Sequence, residues 1–76
     1  MYYSEHYSKY CIANKQKPNK KFIKWMNNIE KIVLQKSQLY LLDLPDQPYM
    51  IMFENNENYK IIAKFILDDL LASMCF

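Results

Sequence analysis

The chain reads as all-α: a small bundle of about three helices with a proline-containing corner, preceded by an N-terminal arm or an extra short helix. Three observations predict this. Two long stretches repeat their apolar residues at spacings of three and four, the mark of one helix face. The 76 residues include no glycine, which disfavours the tight two-residue turns of β-hairpins. Two of the three prolines, Pro45 and Pro48, stand between the two stretches, where the backbone must turn.

The first 18 residues are the least regular. Tyr3, Tyr7, Tyr10 and Cys11 fall at helical spacing, and Ser4 is placed to cap such a helix. The run Asn14-Lys15-Gln16-Lys17-Pro18 ends it, because the residue before proline is pushed out of helical geometry. A short helix and a disordered arm that orders on a partner both fit this stretch.

Asn19 caps the next helix, expected over 19–37, with Lys20 and Lys21 opposing the dipole in its first turn. Phe22, Trp25, Met26, Ile29, Ile32 and Val33 form its apolar stripe, and Trp25 is expected to anchor the core. Lys24, Asn27, Asn28, Lys31 and Gln35 face away. Glu30 is assigned no special pairing.

Leu39, Tyr40, Leu41, Leu42 and Leu44 make a nearly continuous apolar run. As a strand it has no evident pairing partner, so it is expected to be a buried connector. Pro45 and Pro48 then set up a short helix over 46–54, with Asp43 or Asp46 supplying the capping carboxylate. Tyr49, Met52 and Phe53 give it one apolar face. Asn55 and Asn56 end it, asparagine being the best non-glycine residue for a left-handed helix end. Asn58 caps the last helix, expected over 58–74. Its stripe is Ile61, Ile62, Phe65, Ile66 and Leu70, widened by Leu67, Leu71 and Met74.

The length allows one domain, divided here into 1–18 as the arm or short helix and 19–76 as the helical domain. A domain this short buries only roughly 60 % of its unfolded surface. The apolar share, 51 %, suffices for a core. Cys11 and Cys75 lie near opposite ends without a second cysteine at metal-ligand spacing, and the one histidine is His6. No metal site or cofactor is expected, and two idle thiols are favoured over a disulfide. Met1 to His6 lacks the basic-then-apolar order of a signal peptide, and no apolar run approaches the roughly 20 residues of a membrane span. The expected location is the cytoplasm, with no membrane partner.

Net charge is +2, unevenly placed. Residues 1–36 carry eight lysines against two acids, and residues 37–76 two lysines against six acids. Every basic residue is lysine, which makes sequence-blind contacts where arginine makes bidentate ones.

The order Trp25, Ile29, Ile32, then Asp43-Leu44-Pro45-Asp46, Tyr49, Phe53-Glu54-Asn55-Asn56, Asn58 and Ala63 resembles a family of small proteins of bacteria and their phages whose function is unassigned. The shared pattern is a tryptophan-bearing helix followed by a D-L-P-D-x-x-Y corner, over roughly residues 22–67. Asn56 stands where that family has a glycine, and Tyr59 where it has a proline. The resemblance implies a small helical fold of bacterial or phage origin. It brings no activity, cofactor or catalytic residue.

The candidate chemistry is sparse. Asp43 and Asp46 read as caps beside proline, not as an acid–base pair. Asp68 and Asp69 are adjacent in a helix and diverge by about 100°. Trp25, Tyr49, Phe53 and Phe65 stand at helical spacing and are expected in the core, not as a stacking platform. Asp43, Pro45, Asp46 and Tyr49 form a structural corner. Two surfaces remain. Leu67, Leu71, Met74 and Phe76 widen the last helix beyond the roughly 100° stripe that a surface helix buries, which points to self-association or docking on another protein. Lys9, Lys15, Lys17, Lys20, Lys21 and Lys24 form an electrostatic patch suited to phosphates or an acidic protein. A non-enzymatic protein acting by stoichiometric protein contact is the leading expectation. Its possible forms are a phage- or mobile-element-encoded modulator and an accessory subunit of a larger complex. A nucleic-acid-associated protein is the alternative.

Overall fold

The computed structural model describes residues 2–45 and 47–74, with side chains described through Ala72 except at Asp46. Four helices follow one another: α1 (Tyr3–Ala13), α2 (Lys20–Ser37), α3 (Tyr49–Glu54) and α4 (Tyr59–Met74), with a 3-10 turn at Leu41–Asp43. The all-α class is as expected. Of the two readings left open for the first 18 residues, the helix is found, over Tyr3–Ala13.

α2 organises the rest. Its N-terminus is capped as the sequence predicts: the Asn19 Oδ1 accepts the N–H of Lys21 at 3.0 Å and of Phe22 at 3.1 Å. Phe22, Met26, Ile29 and Val33 point inward and are buried. Ile62, Ala63 and Ile66 of α4 close over them, joined by Leu41 and Tyr49. A fully buried side chain of this size stabilises by roughly 1.5–3 kcal/mol. Ala63 is fully buried, and its small side chain lets α2 and α4 approach.

The contacts set the directions. Tyr3, Ser4 and Tyr7 of α1 meet Glu30, Asn27 and Phe22 of α2, so α1 runs antiparallel to α2. The Trp25 Nε1 donates to the carbonyl of Glu57, just before α4, at 3.0 Å. Leu67, Leu70 and Leu71 line one groove with Lys36 and Leu39 at the far end. α4 therefore runs parallel to α2, and α3 belongs to the return between them.

Several expectations are corrected. Ser4 does not cap α1; it is buried within it and its hydroxyl donates to the Asn27 Oδ1 at 2.7 Å. Trp25 is half-buried, at the rim between Phe22 and Phe53, with ring centroids 6.1 and 5.6 Å away. Its indole N–H needs a polar partner, which the rim supplies. The connector is not buried as a whole: Leu41 is inside, while Leu39 and Leu42 are exposed. A one-turn 3-10 segment cannot turn consecutive leucines to the same side. α3 starts at Tyr49, not at 46, with Pro48 at its N-cap. Pro48 keeps Gln47 out of helical geometry. Asp43 does not cap α3. Its Oδ2 instead accepts the Tyr40 N–H within the 3-10 turn, at 3.4 Å. Asp46 lies outside the described residues, as do Cys75 and Phe76 and the Met74 side chain. Phe65 and Ile61, expected in the α4 stripe, are 55 % and 65 % exposed. The apolar residues of α4 spread too far round the helix for all to face one neighbour.

Candidate functional site

The residue at the centre of the polar architecture is Glu30. It sits four residues after Met26 and three before Val33, on the shoulder of the apolar stripe, and is buried. One carboxylate oxygen accepts the N–H of Tyr3, the first residue of α1, at 2.5 Å. The other accepts the N–H of Leu41, the first residue of the 3-10 turn, at 2.6 Å. The carboxylate thus stands in for two missing N-caps. Its negative charge meets the positive end of the α1 dipole, and both bonds are charge-assisted. Sequence reasoning missed this role. The available signal was an acid inside an apolar face; its partners are backbone groups far along the chain, which no spacing rule identifies.

Tyr49 is buried as part of the corner, with its ring edge-on to Tyr3 at 5.1 Å between centroids. Pro45 is exposed. α1 is held at its other end by Tyr7, whose hydroxyl oxygen accepts the Asn19 N–H at 3.1 Å. That donated bond lowers the Tyr7 pKa, but partial burial and the neighbouring Cys11 outweigh it and leave the phenol above its ordinary value. Cys11 is buried and its thiol is free.

The expected contact surface on α4 divides. Leu67 is half-buried and packs against the core. Leu71 is 62 % exposed. Together with Leu70, Asp68, Lys36, Ser37 and Leu39 they line an open groove of about 440 Å³ between the C-terminal ends of α2 and α4. Leucine dominates its lining, and Lys36 and Asp68 stand among the other lining residues. Ser37 is turned inward along α2, its hydroxyl donating to the Val33 carbonyl at 2.6 Å. The groove therefore offers few free polar groups and much apolar surface, which suits a side chain from another molecule better than a reacting substrate.

The expected electrostatic patch keeps all its members at the surface: Lys9, Lys15, Lys17, Lys20, Lys21 and Lys24 are exposed. Five of them span the α1–α2 link and the first turns of α2. The positive end of the α2 dipole lies there too, so this end of the molecule is electropositive. It is the end opposite the leucine groove. His6 is exposed. Among the described residues no three His, Cys, Asp or Glu side chains stand together to hold a metal, and no helix is long and apolar enough to cross a membrane.

No family model, no curated protein and no solved structure matches the chain.

Proposed function

We propose that this protein acts without catalysis, by stoichiometric contact with another protein, through the C-terminal half of α4 and its groove with the end of α2. One observation carries the reading: a leucine-lined groove stays open to solvent, and Leu71 in its lining is 62 % exposed. Exposed contiguous apolar area marks interaction surfaces more than any other role. The resemblance in the corner motif supports a modulator encoded by a phage or mobile element as one form of this function. An accessory subunit of a larger assembly is the other.

The test is affinity capture with the tagged full chain and its Leu71→Asp variant from the cells that make it. The parent should retain a specific protein that the variant loses, at unchanged helicity. Identical recovery by both would remove the groove from the function.

A second reading has its own support in the electropositive end. There the chain would hold nucleic acid through lysine–phosphate contacts, and affinity would fall steeply with salt. Binding of a duplex or single-stranded oligonucleotide, measured at low and physiological salt, separates it from the first reading. An apolar groove is almost indifferent to that change.

A further inference from the structure

α4 is apolar on two opposite sides. Ile62, Ala63 and Ile66 face the core, while Ile61, Lys64, Asp68 and Leu71 are exposed. A helix with apolar residues on all sides is one that its surroundings cover. The four exposed residues are spaced three, four and three apart, which places them on one line down the helix. Read along that line the order is apolar, cation, anion, apolar.

The pattern is its own complement when reversed. A two-fold axis crossing the helix at Ile66 sets Ile61 opposite Leu71 of a second copy, and Lys64 opposite Asp68 of that copy. α4 runs from Tyr59 to Met74, so its midpoint lies beside Ile66 and the two helices overlap almost completely. A parallel arrangement in register would set lysine on lysine and aspartate on aspartate, and like charges in contact select against it. Two-fold pairing is also the commonest symmetry of protein assemblies. Phe65, 55 % exposed, stands at the edge of the line and adds apolar area at the centre of the pair.

We propose that α4 pairs antiparallel with α4 of a second copy of this chain, through Ile61, Lys64, Asp68 and Leu71. The inference rests on the reading of α4 as a contact surface and names its occupant. One helix face is smaller than the roughly 800 Å² per partner of a standard stable interface. The pair is therefore reversible and depends on concentration.

Sedimentation velocity on the full chain tests this, over a concentration series and with circular dichroism in parallel. The parent should pass from monomer to dimer as concentration rises. Lys64→Glu and Asp68→Lys should each weaken association about tenfold or more, because each sets like charges face to face twice in the pair. The variant carrying both should associate like the parent, since opposite charges meet again. All three should keep the parent's helicity, as both side chains are exposed. A parent that stays monomeric throughout overturns the proposal. So does association untouched by the single reversals, or a double variant that fails to recover. The groove reading fails separately: a monomeric parent that still captures a protein through Leu71 loses only the self-pairing, and a dimer that captures nothing loses only the foreign partner.

Discussion

Glu30 shows how much one side chain can organise in a chain this short. Its carboxylate holds an amide 27 residues before it and another 11 residues after it. Both amides open a helical turn and have no acceptor within it. Glu30→Gln keeps one oxygen to accept a single N–H and turns an NH2 group toward the other. A buried N–H left without an acceptor costs about 1–3 kcal/mol, and the variant should lose that much in urea unfolding. Amide exchange at Tyr3 or Leu41 should quicken at the same time. An unchanged midpoint and unchanged exchange would show that the two bonds add nothing to stability. The sequence shows the acid standing among Met26, Ile29 and Val33 but not what it holds, because burial of a charge is decided by partners from elsewhere in the chain.

At the scale of the elements, the absence of glycine has a visible cost. α1, α2 and α3 each end on a residue with positive φ: Lys15 at 55°, Gln38 at 60° and Asn56 at 58°. Around Lys15 and Asn56 the backbone bonds are those of the Schellman motif. Gln16 donates to the Cys11 carbonyl and Lys15 to that of Ile12; Glu57 donates to Met52 and Asn56 to Phe53. Asparagine tolerates this conformation, whereas lysine and glutamine pay about 1 kcal/mol or more for the Cβ crowding. Lys15→Gly and Gln38→Gly should therefore each stabilise the protein by about 0.5–1 kcal/mol, after allowing for glycine's greater unfolded-state entropy. Asn56→Gly should change it less. Thermal unfolding of the three variants checks the order. Asn56 was legible in advance because its residue type carries the preference; Lys15 and Gln38 were not, because theirs does not. The same contrast holds for the helices. α2 and α4 were readable from their repeat and from the caps Asn19 and Asn58; the Asn58 Oδ1 accepts the Lys60 N–H at 2.8 Å. The face of α4 was not readable, since with apolar residues on every side the repeat no longer says which side is inward, and Phe65 was misplaced for that reason.

The whole molecule is a core built by α2, α3 and α4 with α1 laid against it. The buried apolar cluster takes Phe22, Met26, Ile29, Val33, Leu41, Tyr49, Ile62, Ala63 and Ile66, and none of these belongs to α1. α1 contributes partly buried Tyr3 and Tyr7 at the edge of that cluster. A chain of residues 17–76 should keep α2 and α4 and unfold cooperatively, with lower stability and with Glu30 facing one empty position. Circular dichroism and urea unfolding of that fragment decide the matter; a fragment without helical signal would make α1 part of the folding core. The division of charge also belongs to this scale. The lysine-rich end and the leucine groove lie at opposite ends of α2, so an acidic ligand at one end need not compete with an apolar one at the other.

The hold of Glu30 on Tyr3 has a consequence for synthesis. α1 has only 11 residues, too few to persist as a helix alone in water. It nevertheless leaves the ribosome before its acceptor, which is made 27 residues later. At about 5–20 residues per second that gap lasts a second or more. During it Tyr3 and Tyr7 have nothing to pack against. α1 therefore waits, unfolded, for α2 to arrive, and it docks in reverse of the order in which the two were made.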